Sequence, residues 1–322
     1  MNMTHVNLKA CIKSDGDPHL DEIWLIFHVR PSRKKARKAA IAEALVLLGD
    51  LGASSPIGGP MSEVSGVFWI TLPPASLEMA ILRFAGLGYS YAVERVIHII
   101  YSDTAVLHQS IRWRGQNWRL EPIYREDELV FRHLAPDRRT FLLECEGEVR
   151  PVCGYRGGGG PLNRRGLPPE DARLLVNLAA VPGGSLLDPF AGSGGVAISA
   201  LLRGLTVITC DLDPVVRYGL SHISGRHLLA DASRLPFASG SLDAIATEPP
   251  YSPDADTIVC KAIAEGARSL KSGGRLAMLC AQSQTEALRK AAILAGLFLL
   301  LDCPINRKGT ACTVLCWQKR IS

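Results

Sequence analysis

The feature that most constrains the fold is the stretch 185–196, which reads Ser-Leu-Leu-Asp-Pro-Phe-Ala-Gly-Ser-Gly-Gly-Val. Its apolar start predicts a buried strand that ends at Asp188, and the apolar residues after the glycines predict a helix. Between them, Gly192, Gly194 and Gly195 allow the backbone to turn sharply and to approach a ligand closely. Strand, turn and helix in this order are typical of a parallel α/β sheet, in which ligands bind at the carboxyl ends of the strands.

Two well-known nucleotide-binding motifs are excluded here. The dinucleotide pattern G-x-G-x-x-G requires a glycine at position 197, where the chain has alanine. A P-loop requires Gly-Lys-Ser/Thr after the turn, and this is absent. The turn by itself therefore predicts a ligand crevice without identifying the ligand.

Four predicted strands of the C-terminal half each end in an acidic residue, namely Asp188, Asp211, Asp231 and Glu248. The carboxyl ends of parallel strands meet at one edge of a sheet, so we expect the four carboxylates to surround one crevice. Asp211 follows the glycine turn by about 20 residues, the spacing at which an acid accepts hydrogen bonds from ribose hydroxyls. Asp231 is placed to bond an adenine amino group or the ribose.

The chain of 322 residues is long enough for two domains. Strand and helix signals alternate as βαβαβ over residues 21–100, which predicts a small ferredoxin-like α/β module. Residues 117–155 predict a β-rich connector, and the four glycines at 157–160 mark the junction. We therefore predict an N-terminal α/β domain at 1–155 and a second domain at 156–322.

Two basic stretches of the N-terminal domain are candidates for phosphate contacts. They comprise Arg33, Lys34, Lys35, Arg37 and Lys38 in a predicted helix, and Arg112 and Arg114, which interleave with Trp113 and Trp118. The alternative for the first stretch is a solvated helix face. The alternative for the second is an edge strand with its tryptophans toward the core. The net charge of +5 permits nucleic-acid binding without requiring it.

Composition predicts a cytoplasmic protein without a membrane span or a metal site. No run of 18 apolar residues occurs, and residues 1–19 lack the apolar core of a signal peptide. The nine cysteines form no Cys-x-x-Cys pair. Cys312 and Cys316 share one face of a predicted strand, where we expect buried thiols rather than metal ligands.

Together, the glycine turn, the acids and the tetrapeptide Glu248-Pro-Pro-Tyr251 resemble class I S-adenosylmethionine-dependent methyltransferases that act on amino groups. The resemblance implies a Rossmann-like methyltransferase domain with a C-terminal β-hairpin and S-adenosylmethionine as cofactor. In that family the turn cradles the methionine part, while the acids matching Asp211 and Asp231 hold the ribose hydroxyls and the adenine amino group. The implied cofactor residues are Asp188, Phe190, Gly192, Gly194, Asp211, Leu212, Asp231 and Ala232.

The tetrapeptide implies the catalytic residues Glu248, Pro249, Pro250 and Tyr251. In the family it is usually Asp/Asn-Pro-Pro-Tyr and holds a planar nitrogen, so the chain departs from the pattern at Glu248. We expect the Glu248 carboxylate and the Pro249 carbonyl to accept the N–H groups of the substrate amine and to stabilise charge on its nitrogen. The prolines fix that backbone, and Tyr251 is expected to stack on the base.

Residues 167–179, with the glycine turn after them, look like the tRNA guanosine-10 N2-methyltransferase family, the THUMP-domain group. This resemblance implies a THUMP-like N-terminal domain, tRNA as partner and guanine N2 as target. Methylation of DNA adenine N6, DNA cytosine N4 or a protein glutamine amide stays open, as does a non-catalytic RNA-binding protein. A requirement for a small activating protein subunit stays open as well.

Overall fold

The computed structural model of the chain describes residues 12–13, 22–56, 65–98, 110–113, 116–126, 131–134, 140–145, 148–153, 167–224, 226–307 and 309–321. The chain divides into two compact units, residues 1–126 and 127–322. The predicted domain boundary between residues 155 and 156 lies outside the described residues. Within the described ranges, no helix has the length and apolar composition needed to cross a membrane.

Within the described residues, the first unit contains a five-stranded antiparallel sheet, two α-helices and a pair of two-residue parallel strands. In chain order its elements are Ile12–Lys13 (β1), Ile23–Val29 (β2), Arg37–Leu48 (α1), Ser55–Pro56 (β3), Val67–Leu72 (β4), Leu77–Phe84 (α2), Ser90–His98 (β5), Ser110–Trp113 (β6) and Gln116–Arg125 (β7). The order in the large sheet is β4-β2-β5-β7-β6. The predicted small α/β fold is thus confirmed, with antiparallel pairing throughout that sheet.

The continuous apolar sequence of β2 is explained by burial on both faces of the sheet. Leu25, Ile26 and Phe27 are fully buried, and the Phe27 ring stacks on Phe68 with 5.0 Å between centroids. The predicted helix that carries the basic residues begins as a 3-10 turn over Pro31–Ala36, within which Arg33 has non-helical φ and ψ of −128° and 15°.

In its described part, the second unit contains a three-stranded antiparallel sheet and a seven-stranded mixed sheet. The small sheet is formed by Phe131–Leu134 (β8), Thr140–Cys145 (β9) and Glu148–Cys153 (β10). The strands of the large sheet are Ser185–Asp188 (β11), Thr206–Asp211 (β12), His227–Leu229 (β13), Leu242–Thr247 (β14), Leu270–Ala281 (β15), Leu297–Arg307 (β16) and Thr310–Lys319 (β17). Its helices are Pro169–Ala179 (α3), Gly195–Leu202 (α4), Arg217–Ser224 (α5), Asp256–Ser269 (α6) and Thr285–Leu294 (α7).

The large sheet has the strand order β13-β12-β11-β14-β15-β17-β16, with β17 antiparallel to both of its neighbours. The order reverses between β11 and β14, which creates the crevice where doubly wound sheets bind ligands. The predicted Rossmann-like domain with a C-terminal β-hairpin is confirmed. The hairpin strands β16 and β17 are 11 and 10 residues long.

The central strands are buried on both faces, as is usual for parallel strands covered by helices. Leu186 and Leu187 of β11 are fully buried, and Trp317 of β17 is 1% exposed. Cys312 and Cys316 are buried free thiols, as predicted. This packing makes the strand ends a rigid platform for the residues that follow them.

Candidate active site

The acidic residues predicted from the strand ends lie along the carboxyl edge of the parallel sheet. Asp188 and Asp211 are the last residues of the adjacent strands β11 and β12. Glu248 directly follows β14, which pairs with β11 on its other side. Asp231 lies two residues beyond β13. Neighbouring parallel strands therefore deliver these carboxyl groups to one edge.

The turn after β11 depends on glycine backbone conformations. Gly192 and Gly194 have φ values of 50° and 84°, in the left-handed region that glycine adopts without steric cost. A Cβ atom on Gly194 would lie 2.6 Å from Cδ1 of Ile223, so a side chain there has no room. Among the described residues, a Cβ atom on Gly192 would meet the Phe190 carbonyl oxygen alone, at 3.9 Å, so these residues leave space beside Gly192.

The Asp211 carboxylate is held against this turn by two backbone amides. Its Oδ2 accepts a hydrogen bond of 2.8 Å from Gly192 N, and its Oδ1 accepts one of 2.9 Å from Asp213 N. Each carboxylate oxygen can accept a further donor. Leu212 beside it is an exposed apolar side chain, with 66% of its surface accessible. This combination fits a ribose with a flat base next to it.

Asp231 is an ionised acceptor near the end of β13. Its Oδ1 accepts a 2.8 Å hydrogen bond from Ser233 N, and this amide lowers the pKa of the Asp231 carboxyl. Ala232 is buried behind it. With the open space at Gly192 and the held carboxylate of Asp211, these residues fit the adenosine part of S-adenosylmethionine.

Asp188 connects the turn to the neighbouring strand. Its carboxyl is 2% exposed and accepts a 2.7 Å hydrogen bond from Thr247 Oγ1 and one of 3.3 Å from Phe190 N. Burial raises the pKa of Asp188 to about 7, although both hydrogen bonds oppose this. Since Thr247 precedes Glu248, this contact ties the glycine turn to the tetrapeptide.

The side chains of the tetrapeptide form a compact polar cluster with Arg307 and Asp171. Tyr251 Oη donates to Glu248 Oε1 at 2.5 Å, and Arg307 Nη1 donates both to Glu248 Oε1 and, at 2.8 Å, to Tyr251 Oη. Arg307 Nε lies 3.2 Å from Oδ2 of Asp171, which is 1% exposed. Burial raises the pKa of Glu248, and the charge of Arg307 opposes that rise. Burial and then Glu248 raise the pKa of Tyr251, which stays a hydrogen-bond donor.

The tetrapeptide backbone is held from the other side by Gln284, which is 2% exposed. Its Nε2 donates to Pro250 O at 3.1 Å and to Asp256 Oδ1 at 2.9 Å, and its Oε1 accepts from Ala281 N at 3.1 Å. The start of α6 and the end of β15 thus fix the loop after β14.

Sequence reasoning missed Asp171, Thr247, Gln284 and Arg307 as site residues. Thr247 was detectable, because it ends a predicted strand directly before the tetrapeptide. Asp171 carried only the signal of an acid in the first turn of a helix. Arg307 lies 59 residues from Glu248 in the predicted hairpin, and no spacing pattern joins positions so far apart.

The basic residues of the first unit differ in exposure. Lys34, Lys35 and Lys38 are exposed and Arg37 is half-buried. Arg33 is buried at 7% exposure, and its guanidinium lies 5.7 Å from the centre of the Tyr89 ring, so it does not belong to an exposed patch. Arg114 and the side chain of Arg112 lie outside the described part of the chain.

Comparison with known proteins supports the resemblance carried by the glycine turn and the tetrapeptide. A protein named tRNA (guanine(10)-N2)-dimethyltransferase from Methanothermobacter thermautotrophicus is 29% identical over 198 residues, which cover 59% of this chain and 55% of that relative. The chain is similar to this family. The protein of the same name from Pyrococcus abyssi is 37% identical over 94 residues, 26% of this chain and 28% of that relative.

The chain thus spans about half the length of the first relative. The crystal structure of TrmN from Thermus thermophilus matches 92% of this chain and 99% of its own length, at 20% identity and a TM-score of 0.49. No protein-family model matches the chain.

Proposed function

We propose that the chain is an S-adenosylmethionine-dependent methyltransferase that acts on an exocyclic amino group of RNA, namely guanine N2 in tRNA. The observation that carries the proposal is the hydrogen bond from Thr247 to Asp188, which joins the glycine turn to the tetrapeptide that ends at Tyr251. A cofactor site and an amine-binding loop are thereby adjacent. The similarity to tRNA (guanine(10)-N2)-dimethyltransferases supports tRNA as the substrate, and we propose a cytoplasmic location with it.

The proposed cofactor residues provide acceptors for its polar groups and apolar surface for its base. Asp211 accepts the ribose hydroxyls, and Asp231 with Ala232 faces the adenine. Leu212 and Phe190 supply the apolar contacts. Gly192 leaves room for the cofactor to approach the backbone, and Gly194 shapes the turn through its positive φ. S-adenosylmethionine, when bound, supplies a methyl group on a sulfonium, which is already a strong methyl donor.

The chain's own contribution is then to position the acceptor amine. The Glu248 carboxylate and the Pro249 carbonyl accept its N–H groups, which favours positive charge on the nitrogen as the new bond forms. Gln284 holds the next carbonyl, that of Pro250, and so limits movement of the loop. Tyr251, whose hydroxyl is held by Glu248 and Arg307, presents its ring to the base.

A guanine inside an RNA helix must leave the stack before its amino group can reach such a loop. The first unit is proposed to hold the RNA by its phosphates while this occurs. The exposed Lys34, Lys35 and Lys38 are its candidate contacts.

The test is transfer of a labelled methyl group from S-adenosylmethionine to bulk tRNA, bulk DNA and protein, followed by mass spectrometry of the products. We expect label in N2-methylguanosine or its dimethyl form, and loss of that label with Glu248→Ala. Label in DNA adenine or cytosine, or in a protein glutamine, would overturn the substrate. Absence of label with cofactor bound would contradict catalysis by this chain alone.

A further inference from the structure

Arg307 joins the tetrapeptide to helix α3. Its Nη1 contacts Glu248 and Tyr251 on one side, and its Nε pairs with Asp171 on the other. The Arg307 side chain is 15% exposed. A guanidinium is a planar fork of donors, so engagement at two of its nitrogens fixes its orientation.

These contacts leave one oxygen of Glu248 available. Oε1 accepts from both Tyr251 Oη and Arg307 Nη1, which uses its two lone pairs. No hydrogen bond to Oε2 is found within the part of the chain that the structure describes, and the Glu248 side chain is 20% exposed. Oε2 is therefore the oxygen that can accept an N–H from a substrate.

The position of Glu248 needs support, because glutamate has one more rotatable bond than the aspartate or asparagine common at this place. A freely rotating carboxylate would lose the fixed geometry that an acceptor for a reacting amine requires. We propose that Arg307 is a positioning residue that holds Glu248 with Oε2 toward the acceptor amine, and that Asp171 orients Arg307. The kinetic consequences rest on the proposed methyl transfer.

The charge of Arg307 also favours the ionised form of Glu248, because it lowers the pKa that burial raises. Among the residues that the structure describes, the titratable groups that interact with Glu248 are Arg307 in β16, Tyr251 in the loop, Asp171 in α3, Cys312 in β17 and Asp188 in β11. Among these groups, Arg307 carries the positive charge. Without the Arg307 charge, the effect of burial is less opposed and the pKa of Glu248 rises further. Glu248 then loses its ionised form at a higher pH.

The kinetic test compares Arg307→Gln, Arg307→Lys and Arg289→Gln. Arg289 of α7 is the matched control. It forms an ion pair with Asp302 of β16, the strand that also carries Arg307, but it lies outside the cluster around Glu248. We expect Arg307→Gln to lower kcat about 10–100-fold with unchanged affinity for S-adenosylmethionine, and to move the acidic limb of its pH profile to higher pH. Arg307→Lys keeps the positive charge, so it should return the acidic limb to its wild-type position. It should restore only part of kcat, because lysine lacks the planar fork of donors. Arg289→Gln should match the wild type.

The shift must also depend on Glu248. In the Glu248→Gln background, Arg307→Gln should leave the acidic limb of the pH profile where it is. Asp188 is still present to titrate in that background, so an unmoved limb assigns the shift to Glu248. A kcat lowered equally at every pH, or kinetics equal to the wild type, would overturn the proposed positioning role.

A second measurement needs no substrate. Carbon-13 NMR of labelled glutamate carboxyls, with the Glu248 signal assigned by its loss in Glu248→Gln, should show a titration midpoint at higher pH in Arg307→Gln than in the wild type. If the wild type methylates no RNA but this midpoint moves, the proposed function fails and the electrostatic coupling stands. If the midpoint does not move, the inference fails whatever the activity.

Discussion

The Thr247 hydroxyl donates a 2.7 Å hydrogen bond to Oδ1 of Asp188 and joins the ends of the parallel neighbours β14 and β11. The bond crosses the point where the strand order of the sheet reverses. It places a buried carboxyl between the proposed cofactor turn and the proposed acceptor loop. The charge of that carboxyl leads to the first prediction.

Asp188→Asn should make the protein less sensitive to pH. Burial raises the pKa of Asp188 to about 7, so the folded wild type loses stability as pH rises from about 4 to about 7, and the penalty stays above that range. Between pH 5 and 8, the free energy of unfolding of the variant relative to the wild type should rise by on the order of 2–3 kcal/mol. Urea unfolding at both pH values measures this, and a difference that does not change with pH contradicts it.

Asp211→Ala should weaken S-adenosylmethionine binding by about 10–100-fold, because hydrogen bonds to a charged acceptor contribute ~1.5–3 kcal/mol. Asp211→Asn, which keeps one acceptor oxygen, should lie between the alanine variant and the wild type. Titration calorimetry measures the dissociation constants. Glu286→Gln removes an exposed carboxylate on α7 and serves as the control for loss of charge. Equal binding by Asp211→Ala and the wild type would exclude the proposed role in ribose binding.

Gly194→Ala should destabilise the protein more than Gly204→Ala. Both glycines have positive φ, 84° and 69°, so both substitutions carry a backbone cost of ~1–2 kcal/mol. At Gly194 the new Cβ meets Ile223 Cδ1 at 2.6 Å and Leu220 Cδ2 at 3.1 Å, which adds ~1–3 kcal/mol, whereas at Gly204 it meets no atom of the described residues within 4 Å. Thermal unfolding compares the two variants. Ile223→Val removes that Cδ1 atom and should recover part of the loss, whereas no recovery would show that the contact with Ile223 does not contribute to it.

The triple variant Lys34→Ala, Lys35→Ala, Lys38→Ala should weaken tRNA binding while kcat at saturating tRNA stays unchanged. Each lost phosphate contact should reduce the slope of log K against log salt by ~0.7–0.9. Binding measured at several salt concentrations gives the slope. Lys290→Ala, an exposed lysine of the second unit, is the control. A slope equal to that of the wild type would show that these lysines do not contact phosphate.

The architecture of the second unit could be predicted because its signals are local. The apolar run to Asp188, the glycines after it and the strand from Leu242 to Thr247 each follow from backbone preference and burial of neighbouring residues. The first unit was less predictable. Its strand–helix alternation was visible, but the antiparallel pairing of β2 with β4 and β5 depends on which edges meet in space.

The sequence by itself determined the glycine turn, the acids at the strand ends and the presence of the Glu-Pro-Pro-Tyr loop. Only the tertiary structure decided that Arg307 of the hairpin and Asp171 of α3 meet Glu248, and that Arg33 is buried beside Tyr89. The physical reason is the sequence separation over which each interaction acts. Turn geometry and strand burial are set within a few residues, whereas an ion pair between distant elements exists only after the sheet and its helices have packed.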